Sequence, residues 1–254
     1  EKFEKPWRKE YPALLATLHA WAASLHILRS ADGDLDEGEQ HIQKVFSLLD
    51  VNEIHKPFVE QSRPDTLLWY KKAIAALAYR VSGYLNRVKG FVPKSVEQYQ
   101  KAATLLRELD LLIEMATTLN DMGFAQAEMG EWNDGRANVR HALKTRRELG
   151  PRIPVALSLN TLAAIDVREG EAQYASARQN AERALSIFRA FSHERGIALA
   201  LVTLAEATRR LSGTIPLLSD ADRVKYLREA RDYAREAKDI FEKQGESSRQ
   251  VEAL

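Results

Sequence analysis

The sequence predicts an all-α protein built from repeated helix pairs. Two observations carry this prediction: an excess of helix formers over turn formers, and a regular spacing of small residues along the chain. The 254 residues include 35 Ala and 32 Leu, against 12 Gly and 8 Pro. Because Ala and Leu favour helices while Gly and Pro interrupt them, most of the chain should be helical.

Small residues recur along the chain with a period of 40. One set is Gly83, Gly123 and Ala163, and the other is Gly90, Gly130 and Gly170. Self-similarity at such a period is typical of stacked supersecondary units. Each unit follows the pattern of a helix, a glycine turn and a second helix.

The pattern predicts five helix pairs and the start of a sixth near residue 247. The repeats fall near residues 12–50, 66–109, 112–149, 154–191 and 196–243. Residues 1–11 form a lead-in to an array that spans 12–254. Two insertions with proline, near 51–64 and 214–222, are predicted surface loops. Both ends of the sequence indicate a piece of a longer protein.

The second helices share one apolar face. Three positions align in every second helix: a small residue, the residue four positions later, and the residue three positions after that. Steps of four and three keep to one side of a helix. The three rows are Gly38, Ser95, Gly135, Ala177 and Ala230; Ile42, Tyr99, Val139, Ala181 and Ala234; and Val45, Ala102, Ala142, Ala184 and Ala237. Small side chains let helices approach closely, so this face is predicted to pack against neighbouring helices.

Composition argues against several classes of function. Lys and Arg number 37 and Asp and Glu 36, for a net charge of +1, so neither nucleic acid nor an anionic membrane is an expected partner. The absence of cysteine excludes disulfides and thiolate metal sites and favours a cytoplasmic setting. Apolar runs are far shorter than the roughly 20 residues that span a bilayer.

Catalytic and cofactor motifs are also absent from the sequence. It has no Gly-x-x-x-x-Gly-Lys-[Ser/Thr] phosphate loop, no His-Glu-x-x-His zinc motif and no Gly-x-Ser-x-Gly elbow. The six histidines are scattered, whereas zinc needs three or four converging ligands. We therefore predict a non-enzymatic protein with no metal and no cofactor.

The motif Gly-x-Trp-x-x-Gly at residues 130–135, followed by Ala142, resembles a tetratricopeptide repeat. Related cues stand at residues 33–38 and 170–177. The resemblance implies a right-handed α-α superhelix. The chain departs from the family pattern in its longer period and in its lack of an aromatic residue late in each first helix. The residues at that place are Asn86, Gln126, Asp166 and Thr208.

The longer period resembles the sensor repeats on the C-terminal side of STAND signal-transduction NTPases, including MalT-like and NB-ARC proteins. Arrays of similar period also occur in bacterial peptide-pheromone sensors. The resemblance implies a sensor or interaction domain that binds a protein, a peptide or a small inducer and acts on other domains of the same full-length chain. Two alternatives stay open: a constitutive scaffold, and a regulatory segment of an enzyme whose catalytic domain lies outside these residues.

In tetratricopeptide arrays the exposed side of the first helices lines a concave groove. Carried over by alignment, this surface holds polar, aromatic and charged side chains suited to a peptide, an acidic segment or a small polar inducer. The candidate residues are Arg80, Asn120, Asn160, Tyr84, Phe124, Arg87, Glu128, Arg168, Glu206, Arg209 and Arg210. Asn amides can grip a peptide backbone by donating and accepting together. The alternative for Tyr84 and Phe124 is a place in the core between repeats.

Overall fold

The computed structural model describes residues 7–29, 34–55, 66–150, 152–214 and 219–243. These residues are almost all helical, with no strand among them, which confirms the all-α prediction. The helices are α1 Trp7–Arg29, α2 Asp34–Leu48, α3 Val51–Ile54, α4 Thr66–Val88, α5 Val92–Glu108, α6 Leu112–Glu128, α7 Trp132–Leu149, α8 Arg152–Glu169, α9 Tyr174–Ala190, α10 Glu194–Thr214 and α11 Asp220–Lys243. The chain divides into two compact units, residues 1–118 and 119–254, and the division falls within α6.

Unit 1 contains two helix pairs, α1 with α2 and α4 with α5, and α1 also packs against α4. Helices α4 and α5 approach closely, since a Cβ on Gly83 would fall 2.7 Å from the fully buried ring of Tyr99. The same pair buries Lys72 completely, and its Nζ donates to the Glu108 carboxylate at 2.6 Å. The small residue predicted on α4 therefore serves helix packing.

The boundaries follow the sequence pattern with local differences. Helix α1 begins at Trp7 rather than near residue 12, so Pro12 lies inside the helix. The short helix α3 lies inside the first predicted insertion. The predicted sixth repeat, from residue 247, lies outside the described residues.

Unit 2 is a run of helices in which each packs on the next along the chain. Helix α8 also packs directly against α10, as the first helices of consecutive repeats should. Its core contains the buried Leu159, Phe188 and Leu201. In the turn before each second helix, Gly130 and Gly170 adopt φ of 82° and 131°, a region that glycine alone enters without strain.

The predicted packing face of the second helices is buried in α2, α5, α7 and α9. On α11 the same face is only partly covered: Ala230 and Ala237 are buried, whereas Ala234 is exposed. The prediction for Ala234 is therefore wrong. Helix α11 packs chiefly on α10, so within the described residues it has a neighbour on one side only.

A buried ion pair joins α7 to α8. The Arg136 Nε donates to the Asp166 carboxylate at 2.9 Å, with side-chain exposures of 9% and 6%. The other Asp166 oxygen accepts from Ser176 Oγ at 3.0 Å, and the Arg136 guanidinium also contacts Glu169. Asp166 stands where the repeat pattern usually has an aromatic residue, so here a charged pair replaces apolar packing between these helices.

Candidate functional site

A cleft of about 390 Å³ opens in unit 2 between α8 and α10. The helix-to-helix packing sets its walls, and the first residue of α9 closes one side. The lining residues are Ala164, Val167, Arg168, Tyr174, Val202, Thr203, Glu206 and Arg210. Volumes of this size lie within the range of small ligand sites.

The floor of the cleft is apolar. Val167 and Val202 are half-buried, and the ring of Tyr174 is 5% exposed. Thr203 adds little polarity, because its hydroxyl already donates to the Leu199 carbonyl at 3.1 Å. An apolar side chain of a partner would therefore meet an apolar surface here.

The rim of the cleft is charged, and Glu206 organises it. Its carboxylate accepts from Arg209 Nε and Nη2 at 2.8 and 2.7 Å, and from Arg210 Nε at 2.6 Å. The hydrogen bond from Arg209, opposed by partial burial and aided by Arg210, lowers the pKa of Glu206 below its ordinary value. Glu206 in turn raises the pKa of Arg210. Both arginines are thus hydrogen-bonded to Glu206 beside the cleft, with each side chain about half exposed.

Arg168 forms the opposite rim. Its guanidinium carbon lies 4.7 Å from the centroid of the Phe124 ring, a cation–π contact. Its Nη1 donates to the Ala164 carbonyl at 3.2 Å. The charged side chains that line the cleft are therefore Arg168, Glu206 and Arg210, with Arg209 bound to Glu206.

The structure brings together part of the predicted groove set. Arg168, Glu206 and Arg210 line the cleft, Arg209 joins them through Glu206, and Phe124 supports Arg168. Glu128 is exposed at the end of α6.

The predicted asparagine ladder has a different environment. Asn120 is only 8% exposed, and its Nδ2 donates to Thr161 Oγ1 at 3.1 Å. Its Oδ1 accepts from Arg146 Nη1 at 3.4 Å. The amide is therefore used between α6, α7 and α8 rather than offered to a partner. Asn160 is half-buried, and its Oδ1 accepts no hydrogen bond from the described residues.

The unit 1 candidates Arg80, Tyr84 and Arg87 lie half-buried on α4. The Arg87 guanidinium carbon is 5.5 Å from the centroid of the Tyr84 ring. This arrangement is the same kind of arginine–aromatic contact as Arg168 with Phe124 in unit 2. Tyr84 and Phe124 thus combine partial burial with support of a surface arginine.

Sequence reasoning missed the cleft floor. The repeat pattern places Tyr174 in helix packing alone and does not single out Val202. The sequence does carry a signal for Val202: the spacing from Leu159 to Leu201 is 42 residues, and the same step from Asn160 leads to Val202. No comparable pattern marks Thr203, because its hydroxyl is bonded within its own helix.

We expect Glu206 to titrate below its ordinary value of 4.5. Its lowered folded-state pKa means that the links to Arg209 and Arg210 are complete above 4.5 and are lost only as pH falls through the lower folded value. Carboxyl-carbon NMR across an acid titration would measure the midpoint. In Arg209→Gln the midpoint should rise toward 4.5; an unchanged midpoint would contradict this account of the rim.

Two kinds of site are absent from the part of the chain that the structure describes. No group of three or more His, Asp or Glu side chains is placed to hold a metal ion. In the same ranges no helix has the length and apolar character that a membrane crossing requires.

Residues 114–190 match the family model described as tetratricopeptide repeat. A search of curated proteins found no match. The family match supports a tetratricopeptide array, a class of module that generally mediates protein–protein interaction and is generally non-catalytic.

Several solved structures are similar over nearly the whole chain. BtubC (BKLC) from P. vanneervenii is 16% identical with a TM-score of 0.61, covering 92% of this chain and 83% of that one. A Rap protein complexed with Competence and Sporulation Factor is 13% identical with a TM-score of 0.60, covering 96% and 69%. A putative kinesin light chain with nearly identical TPR-like repeats from Podosopora anserina is 14% identical with a TM-score of 0.55, covering 93% and 99%. At these identities the likeness establishes the fold, an α-α superhelix of the tetratricopeptide type.

Proposed function

We propose that this chain is a non-enzymatic tetratricopeptide module that binds a protein or peptide partner through the cleft between α8 and α10. The observation that carries the proposal is the cleft itself, an apolar floor flanked by Arg210, which Glu206 binds, and Arg168, which Phe124 contacts. The partner segment that fits it has one apolar side chain next to acidic residues. Apolar contact would supply affinity, and the arginines would select charge and orientation.

The wider setting we propose is a cytoplasmic signalling protein in which the array acts as a sensor for other domains. The tetratricopeptide match and the likeness to a Rap protein complexed with Competence and Sporulation Factor support a bound protein or peptide factor as the signal. Occupation of the cleft would favour one packing of α8 against α10, and a ligand shifts such an equilibrium by its differential affinity. In its most specific form, this proposal is that the array regulates a STAND-type NTPase, as the repeat period of about 40 residues suggests.

Charge reversal at the cleft tests the binding site. The probe is a fluorescein-labelled peptide in which one Leu is flanked by Asp and Glu, with a second peptide in which Lys replaces each acidic residue. We expect the acidic peptide to bind more tightly than the basic one. Arg168→Glu combined with Arg210→Glu should weaken the acidic peptide at least about tenfold, because each removes an attraction and adds a repulsion. Fluorescence anisotropy provides the measurement.

Arg140→Glu is the matched control, since Arg140 is exposed on α7 and does not line the cleft. This substitution changes the net charge by the same amount as each substitution in the cleft, and it should leave the affinity for the acidic peptide nearly unchanged. Equal losses in the control and in the cleft variants, or equal binding of the two peptides, would overturn the assignment. Circular dichroism of each variant separates lost binding from lost folding.

A sensor and a constitutive scaffold respond differently when the partner binds. In hydrogen–deuterium exchange, a sensor should change protection beyond the cleft, for example along α11, when the acidic peptide binds. A scaffold should change protection only on α8 and α10. A change in protection confined to those two helices would be consistent with peptide binding but would exclude the sensor role.

A further inference from the structure

Four large apolar side chains project into solvent from α1, in unit 1. Leu14, Leu18, Trp21 and Leu25 are each 53–67% exposed. Single exposed apolar residues are common on protein surfaces, but a contiguous group of this size marks an interaction surface. We call these four residues the α1 stripe.

The opposite side of α1 is apolar as well. Ala13, Ala16, Ala20 and Ala23 are at most 1% exposed and face the rest of unit 1, where α1 packs on α2 and α4. No Asp, Glu, Lys or Arg occurs from residue 12 to residue 25. A helix that is apolar all round is normally buried on all sides. The α1 stripe is therefore a surface that should be covered.

The spacing of the α1 stripe indicates what covers it. Its steps of four, three and four residues are those of the a and d positions in a coiled-coil seam, which is complementary to another helix. The four positions are also symmetric about a midpoint between His19 and Ala20, with Leu14 opposite Leu25 and Leu18 opposite Trp21. A surface that a two-fold axis pairs with itself must be self-complementary in this way.

We propose that the occupant is a second copy of this chain, with the two α1 helices antiparallel. Leu14 of each copy then lies level with Leu25 of the other, and Leu18 lies level with Trp21. The flanking Thr17 and Ala22 are small enough to let the helices approach closely. Because the central residues of α1 carry no formal charge, the two-fold symmetry sets no like charges against each other.

The area is sufficient for such a dimer. Aromatic side chains bury about 150–250 Å² each, so Trp21 with the three leucines supplies roughly 500 Å² per copy and about 1,000 Å² for the pair. Tyr70, 37% exposed at the start of α4, adds to this surface, since its hydroxyl lies 3.2 Å from Thr17 Oγ1. This total reaches the lower limit of about 1,000 Å² for specific interfaces.

The absence of cysteine from the chain permits a direct test of pairing. Leu14→Cys and Leu25→Cys proteins are prepared separately, mixed, and oxidised under mild conditions. Antiparallel pairing predicts disulfide dimers that contain one chain of each kind. Each protein alone should cross-link far less, because the two copies in its dimer carry their single cysteines at opposite ends of the seam. Mass spectrometry of non-reduced peptides identifies the link between positions 14 and 25.

Light scattering on the unmodified chain tests the dimer itself. We expect twice the chain mass, falling to the single mass in Leu18→Glu with Trp21→Glu, both of which are solvent-exposed positions that folding does not require. Leu227→Glu, at a similarly exposed site on α11, should leave the dimer intact. A single-chain mass at every concentration, or links between identical positions only, would overturn the proposal. A complex with a different protein in place of the dimer would do the same.

Discussion

Asp166→Ala should lower the free energy of unfolding by about 3 kcal/mol or more, the cost typical of removing one member of a buried ion pair. The reason is that Arg136 would keep its charge in a site where it is 8% exposed and would lose its bond to Asp166. Its contact with the less buried Glu169 offsets only part of that loss. Ser176 would lose its acceptor as well.

Urea unfolding of the variant measures the loss directly, and the melting temperature should fall by about 2–4 °C per kcal/mol in a chain of this size. Glu236→Ala is the matched control. Glu236 accepts from Arg189 at 2.7 and 2.9 Å, but both side chains are about half exposed, so the expected loss is below about 1 kcal/mol. Equal losses in the two variants would contradict the role of burial.

Replacing both charged partners separates charge from shape. Arg136→Met with Asp166→Leu removes both buried charges and keeps much of the side-chain volume, and only the less buried Glu169 loses its contact with Arg136. We expect the double variant to be more stable than Asp166→Ala, because well-packed apolar residues often replace a buried ion pair at little cost. A double variant less stable than the single one would mean that the polar geometry itself holds α7 against α8.

Gly123→Ala should destabilise unit 2 by about 1–3 kcal/mol through overpacking. A Cβ at this position would lie 2.5 Å from the carbonyl oxygen of Gly135 and 2.7 Å from Val139 Cγ2. The first neighbour is backbone, so no side-chain rotation relieves the contact. Helices α6 and α7 must therefore move apart, and their shared packing weakens.

Gly213→Ala, in α10, is the control, since no atom lies within 4 Å of the Cβ position there. Alanine is a better helix former than glycine by about 0.5–1 kcal/mol, so this variant should be neutral or stabilised. Thermal unfolding of both proteins gives opposite signs if close approach governs the result. Destabilisation of the two by equal amounts would instead indicate a general intolerance of alanine, and the packing argument would fail.

The sequence predicted the helix pairs and much of their packing, because both depend on local periodicity. Small residues at Gly83, Gly123 and Gly135 do mark close approaches in the structure. These contacts fall at positions that follow the period of the repeat, so the sequence alone shows their spacing. Ala234 was the exception, since α11 packs chiefly on α10 among the described residues and Ala234 is exposed.

The cleft between α8 and α10 was predicted less completely. Helical position placed Asn120 on the groove face, yet Arg146 and Thr161 from two other helices hold its amide. Arg168 and Arg210 do line the cleft, but their helical positions did not show that Phe124 supports the first and Glu206 fixes the second. Each of these contacts joins residues whose spacing has no repeat.

The sequence by itself thus determined the all-α class, the helix pairs and the small residues at their contacts. Only the tertiary structure decided which polar side chains are used internally, where the cleft opens and that Asp166 pairs with Arg136. The physical reason is that helix formation depends on local sequence, whereas side-chain contacts depend on several helices. A helix fixes the direction of each side chain from its position alone, whereas burial and pairing depend on which side chains of neighbouring helices reach the same point.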